Sequence, residues 1–192
     1  MKIVFATNNE NKIKEIQSML PADISIISLE SIGCYEDIPE TALTIEGNAI
    51  QKANYITQKY GYDCFADDTG LEVEALNGAP GVYSARYAGN QRNPDDNMNL
   101  LLQNLQEKKT RAAQFKTVIA LNLNGEQFLF TGIAKGDITA EKYGKEGFGY
   151  DPIFKPLGYQ ETFAQLPLTL KNEISHRGIA TKQLLAHLKK QD

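Results

Sequence analysis

A mixed-sheet α/β domain is the fold class this sequence predicts, and three observations carry that prediction. Short apolar runs alternate with stretches of helical periodicity through the early part of the chain. Residues that start and stop helices bracket those stretches. Later, two long runs flank Asn124-Gly125, the preferred two-residue turn of a β-hairpin.

Ile3 to Thr7 is a short apolar run that reads as a buried strand. The polar stretch Asn8 to Asn11 follows, and then a helix with Ile13, Ile16 and Leu20 on one face. Ile24 to Ser28 reads as a second strand. From Thr44 to about Tyr60, Ile45, Ala49, Ala53 and Ile56 fall at helical spacing, and Gly61 sits where a C-terminal cap belongs. Asp63 to Ala66 and Leu71 to Ala75 are expected as strands on either side of a turn at Asp67-Asp68-Thr69-Gly70. Asn93-Pro94-Asp95-Asp96 predicts a helix start, with a cap, a first-turn proline and two acids favoured by the dipole; Met98, Leu101, Leu102 and Leu105 supply its buried stripe. Arg111 to Leu123 and Glu126 to Ile133 are the hairpin strands. Lys142 to Pro156, rich in glycine and aromatics, reads as a loop, and Ile179 to Lys189 closes the chain as an amphipathic helix.

The 192 residues, 42% hydrophobic and 23% charged, suit one domain spanning 1 to 192. A chain of this length buries roughly 70% of its unfolded surface, so Cys34 and Cys64 need not pair to hold a core. With only His176 and His187 besides, the soft ligands for a zinc site are lacking, which leaves room for an oxygen-ligated ion. The net charge of −4, with neither sign in a long run, speaks against a nucleic-acid clamp. There is no apolar stretch of signal-peptide length and none of about 18 or more residues for a membrane span. The expectation is a cytoplasmic protein with no nucleic-acid or membrane partner.

Five constellations could carry chemistry. Thr7-Asn8-Asn9-Glu10-Asn11-Lys12 lies between a strand and a helix start, where unpaired amides and the dipole favour phosphate; Lys12 there opposes the dipole unless an anion lies between them. The alternative is a polar loop with an asparagine cap. The P-loop pattern is absent. Asp67 and Asp68 are adjacent acids that a regular strand would send to opposite faces, so one of them is the working carboxylate, as metal ligand or proton acceptor; an Asp-rich turn bonding its own backbone is the rival reading. Glu72 and Glu74 alternate with apolar residues as a solvated strand face. Lys52 falls on or beside the apolar stripe of its helix, either snorkelling or facing an anion, and Glu36, Asp37 and Glu40 are solvated charges or include a second metal ligand. Gly147-Phe148-Gly149-Tyr150-Asp151-Pro152 offers close backbone approach and a stacking ring for a planar base, or core aromatics in a glycine turn. Lys171 and Ser175-His176-Arg177-Gly178 precede the last helix, with no nucleophile motif that would make His176 part of a serine-hydrolase triad. Taken together, the cations, acids and stacking aromatic describe a nucleoside polyphosphate site.

The blocks FATNNENK, ETALTIEGNA, FADDTGLEVEALNGAPGVYSARYAG, GFGYDPIF and LKNEISHRG run in order through nearly the whole chain. In them the sequence resembles the inosine triphosphate pyrophosphatase family. The resemblance implies an elongated mixed sheet flanked by helices with a central active-site cleft. It implies hydrolysis of non-standard purine triphosphates (ITP, dITP, XTP) to the monophosphate and pyrophosphate, with Mg2+ and as a homodimer. It puts the phosphate-binding loop on Thr7, Asn8, Asn9, Glu10, Asn11 and Lys12, metal-binding acids on Glu40 and Asp68, and the general base on Asp68. Because a metal-bound carboxylate is a weaker base, Asp67 stands in reserve for that role. Lys52 and Thr69 match substrate contacts; Phe148, Gly149, Tyr150 and Asp151 match the base pocket; Lys171, His176 and Arg177 match residues closing over base and phosphates. Arg177 can only donate, which suits a 6-oxo acceptor on the base. The rival functions are a non-catalytic nucleotide sensor, against which Glu40 and Asp68 argue, and a pyrophosphatase for modified pyrimidine triphosphates.

Overall fold

Strand β1 (Lys2–Phe5) is buried beyond its first residue and leads into helix α1 (Glu10–Gln17) in the computed structural model, which describes residues 1 to 190. Asn9 caps α1 by accepting from the amides of Asn11 and Lys12. Strand β2 (Ser25–Ile27) runs parallel to β1, Lys2 opposite Ser25. Thr44 caps helix α2 (Ile45–Tyr60), its hydroxyl accepting from the Gly47 amide, and Gly61 ends the helix in the left-handed conformation, φ 74°.

The acidic turn expected at Asp67 to Gly70 does not form. Residues 64 to 73 are one strand, β3 (Cys64–Val73). Its start pairs in parallel with β1, Phe5 opposite Phe65, and its end pairs antiparallel with β4 (Pro80–Gly81), Leu71 opposite Gly81. Both ends are thus held in ladders, and the acids between them find side-chain partners, which removes the reason for a self-bonded turn. Beyond Val73 the chain leaves the strand, so Glu74 opens a 3-10 turn instead of continuing an alternating face.

Helix α3 (Pro94–Asn104) starts as its sequence predicts, with Asn93 accepting from the amides of Asp95 and Asp96. Strands β5 (Ala112–Leu123) and β6 (Glu126–Ile138) form the hairpin, and Asn124 and Gly125 both take positive φ, 53° and 82°. Within the stretch expected as a loop, β7 (Phe154–Pro156) pairs antiparallel with β6. Gly136 permits this approach: a Cβ there would lie 2.2 Å from the Lys155 carbonyl oxygen. Helix α4 (Leu168–Ile174) was not foreseen, and α5 (His176–Leu188) begins at His176 instead of Ile179.

The sheet is mixed, seven-stranded, with order β2-β1-β3-β5-β6-β7 and β4 on β3. The chain divides into two compact units, Met1–Asp68 with Thr117–Gly132 and Arg177–Asp192, and Thr69–Lys116 with Ile133–His176. The first has a core of Ile3, Phe5, Ile16, Phe65, Ile119, Leu121 and Leu184, with the Phe5 and Phe65 rings stacked at 4.4 Å. In the second, Leu71, Leu101, Phe115, Ile153, Phe154 and Phe163 pack together.

Candidate active site

In the first unit, helices α1, α2 and α5, strand β3 and the segment before α2 bring a set of buried and half-buried charges together. β3 supplies Asp67 and Asp68, and the strand's alternation sends them to different partners, as expected of a regular strand. Asp67, wholly buried, takes Lys12 Nζ at 2.9 Å and Arg177 Nε at 3.1 Å. Arg177, in the first turn of α5, also holds Glu15 at 2.6 Å through Nη1. Asp68 faces α2: Lys52 Nζ lies 3.6 Å from its Oδ1, and the Asn48 side-chain amide donates to its Oδ2 at 3.2 Å. Lys52 also holds Glu40 Oε1 at 2.5 Å, so Glu40 and Asp68 share one ammonium. The anion that Lys12 requires at the start of α1 is therefore Asp67, and Lys52 does not snorkel but lies buried between two carboxylates.

Burial alone would raise Asp67, but Lys12, Arg177 and Lys52 outweigh it and hold the carboxyl well below its usual range. Asp68 goes the other way. Burial raises it, Lys52 and Lys12 only partly offset that, and the charges of Glu40 and Asp67 add to the rise. Burial would lower Lys52, yet Asp68, Glu40 and Asp67 raise it above its ordinary value.

In the phosphate-loop segment, the Thr7 hydroxyl accepts from the Asn9 amide at 3.2 Å and Asn9 caps the helix, while Asn8, Glu10 and Asn11 are exposed. The loop thus shows the asparagine cap of the alternative reading. Thr69 follows Asp68 on β3, half-buried.

The second unit gathers the aromatic set. Phe148 is half-buried, and Lys171 Nζ lies 5.3 Å from its ring centre. Lys171 holds Asp151 Oδ2 at 2.6 Å, and the same oxygen accepts from the Phe148 amide at 2.8 Å. Gly147 is required here, because with φ 74° its Cβ would meet that carboxylate at 2.1 Å. Gly149 also takes positive φ, 63°. Tyr150 is a core residue, its hydroxyl donating to the Ser84 carbonyl at 2.8 Å. His176 is buried and stacks on Phe115, ring centres 4.4 Å apart.

The site residues therefore fall into two sets. Lys12, Glu40, Lys52, Asp68 and Arg177 belong to the first unit, and Phe148, Gly149, Tyr150, Asp151, Lys171 and His176 to the second. Sequence reasoning passed over Glu15, Asn48 and Phe115. Glu15 lies three residues after Lys12 and Asn48 four before Lys52, the spacings that share a helix face, so both were available to a face-by-face reading. Phe115 on β5 carried no such signal.

The fold and these two sets define a class: a mixed α/β protein with a buried cation-carboxylate centre and a separate aromatic set carrying its own buried cation. Residues 3 to 187 match the model of the Ham1 family, and the chain belongs to that family. It is 71% identical to the dITP/XTP pyrophosphatase of Flavobacterium johnsoniae over 96% of each chain, and 69% identical to that of Flavobacterium psychrophilum over 98% of this chain and 100% of the relative. Among solved structures, the Ham1 protein of Staphylococcus aureus superposes with a TM-score of 0.91 at 40% identity, covering 100% of both chains.

Proposed function

We propose that this protein hydrolyses non-standard purine nucleoside triphosphates, ITP, dITP and XTP, to the nucleoside monophosphate and pyrophosphate. The observation that carries the reading is the convergence of Asp68 and Glu40 on Lys52, with Asn48 holding the second oxygen of Asp68. It is joined by full-length similarity to proteins named dITP/XTP pyrophosphatase.

Two carboxylates turned toward one point, with no third His, Cys, Asp or Glu grouped with them among the described residues, form a donor set that suits magnesium. That ion is typically held by one or two carboxylates together with substrate phosphates. Glu40 and Asp68 would hold it, and when bound it neutralises charge on the phosphates. Asp68 accepts the proton of a water that attacks the α phosphorus in line, and the bond from that phosphorus to the bridging oxygen breaks. Asp67 is committed to Lys12 and Arg177, which leaves Asp68 as the acid of the adjacent pair turned toward Lys52 and Glu40. Lys12 and Lys52 stabilise the charge that leaves with pyrophosphate. In the first unit Thr7 to Asn11 are assigned to the phosphate chain; in the second, Thr69 is assigned to substrate, Phe148 to stacking on a base, and Gly149, Tyr150, Asp151, Lys171 and His176 to the surroundings of that ring. On the same reading the enzyme works in the cytoplasm as a homodimer. No helix among the described residues is long and apolar enough to cross a membrane.

The test is product analysis with dITP, XTP, ATP and GTP in the presence of magnesium. Pyrophosphate released from dITP and XTP far faster than from ATP or GTP is expected. Release of orthophosphate, or equal rates on all four, would overturn the proposal.

A further inference from the structure

Between the 3-10 turn at Glu30–Ile32 and α2, residues 33 to 44 form no regular element, yet this segment presents Glu40. What holds it is a series of side chains on α2, met in reverse order. Glu36 Oε1 accepts from the Tyr55 hydroxyl at 2.7 Å, the Tyr60 hydroxyl at 2.6 Å and Lys59 Nζ at 2.5 Å. Glu40 meets Lys52, Thr41 exchanges two hydrogen bonds of 2.9 Å with the Gln51 side chain, and the Ala42 amide donates to Asn48 Oδ1 at 2.9 Å. Asn48, Gln51 or Lys52, Tyr55 and Lys59 are spaced by three and four residues, so they form one stripe, and the segment lies antiparallel along it.

Glu40 is thus fixed from both sides, and Asn48 serves two ends, holding Ala42 with its oxygen and Asp68 with its nitrogen. The anchor at Glu36 is the more distant one and touches nothing in the charge centre. Its carboxylate is kept ionised because hydrogen bonds from Lys59, Tyr60 and Tyr55 hold it well below the usual carboxylate range. Lys59 stands beside the rings of both tyrosines, 5.2 and 5.6 Å from their centres, which orients all three donors at once.

We propose that Glu36 is a positioning residue for Glu40: its clasp on Tyr55, Lys59 and Tyr60 sets the segment so that Glu40 and Asp68 converge on the same point. The inference rests on the reading of Glu40 as a metal-holding acid. A carboxylate on a loosened segment still reaches that point but spends less time there, so metal affinity falls while the chemistry of the metal-saturated enzyme persists.

The experiment measures Mn2+ binding to the protein by electron paramagnetic resonance, without nucleotide, beside the magnesium dependence of pyrophosphate release and the unfolding temperature. Glu36→Ala should raise the half-saturating metal concentration about tenfold in both measurements, in the range for groups that orient a ligand from behind. The rate at saturating magnesium should stay within about twofold of the parent. Glu36→Gln keeps an acceptor oxygen and should recover most of the loss. Tyr55→Phe combined with Tyr60→Phe removes two donors and keeps both rings, so it should reproduce the shift even if Glu36→Ala folds poorly. Glu40→Gln separates the two readings. If it leaves metal binding unchanged, Glu40 holds no metal and the proposal falls with that reading. If Glu40→Gln weakens metal binding while the Glu36 and tyrosine variants only lower the unfolding temperature, Glu36 is structural and the positioning role is overturned.

Discussion

Asp67 and Asp68 share a strand and a charge, yet the structure separates their duties by their neighbours. Asp67 is sealed between Lys12 and Arg177, whereas Asp68 is buried with one shared lysine and an amide. Matched substitutions should therefore fail differently. Asp68→Asn keeps the size and the Asn48 contact and should reduce turnover about a hundredfold or more with unfolding unchanged, as measured by pyrophosphate release and urea titration. Asp67→Asn leaves the buried Arg177 and the half-buried Lys12 short of a carboxylate and should lower stability by about 3 kcal/mol. Its pH dependence has a definite sign. The folded-state pKa of Asp67 lies below the unfolded value of about 3.9, so its contribution is present in full above that value and is lost as pH falls toward the folded one. Urea midpoints below about pH 4 should thus drop more steeply for the parent than for Asp67→Asn. Parallel pH curves would remove Asp67 from acid stability. The opposite orientation of the pair was legible from strand alternation alone. Which acid would be sealed was not, because Arg177 and Glu15 arrive from distant parts of the chain.

Elements whose ends are set by local chemistry were readable in the sequence. Asn93 and Pro94 start α3, Thr44 and Gly61 bracket α2, and Asn124-Gly125 makes the hairpin turn, each through a side chain or a positive φ acting on its own backbone. Elements set by pairing were not. β3 runs straight through an acidic stretch with strong turn chemistry because β1 and β4 hold its two ends. β7 exists because β6 offers a glycine where it must approach. The same contrast applies to the start of α1, where a phosphate cradle and an asparagine cap were both consistent with the residues. The cap is present, with Asn9 Oδ1 accepting from the amides of Asn11 at 3.0 Å and Lys12 at 3.2 Å. Asn9→Ala should destabilise the protein by about 1 kcal/mol, the usual worth of such a cap, in chemical denaturation. If Asn9 also lines the phosphate chain, the variant will raise KM for triphosphate as well. A loss of stability with KM unchanged would confine Asn9 to capping.

At the scale of the whole molecule, the division of the site residues between two units divides the work proposed for them. On that proposal, phosphate chemistry falls to the first set and base choice to the second. Hypoxanthine and xanthine carry a 6-oxo acceptor where adenine carries a 6-amino donor, so a donor-only group discriminates between them. Sequence reasoning assigned that part to Arg177. The structure spends its Nε on Asp67 and its Nη1 on Glu15, inside the charge centre of the first unit. Within the aromatic set of the second unit, Lys171 is a donor-only group; it donates to Asp151 at 2.6 Å and lies 5.3 Å from the centre of the Phe148 ring, to which base stacking is assigned. Guanine shares the 6-oxo group, so a donor-only group does not separate it from hypoxanthine or xanthine. Facing an adenine amino group with a buried ammonium leaves donors opposed, at about 1 to 3 kcal/mol for each unpaired group, or roughly ten to a hundredfold in kcat/KM. Lys171→Met should therefore shrink the ITP to ATP ratio of kcat/KM by about that factor. Arg177→Met should lower kcat/KM for ITP, XTP, GTP and ATP alike, because it disturbs Asp67 and Lys12 and no contact to the base. A ratio unchanged in Lys171→Met would remove that lysine from base reading. A ratio changed in Arg177→Met would return the role to the arginine.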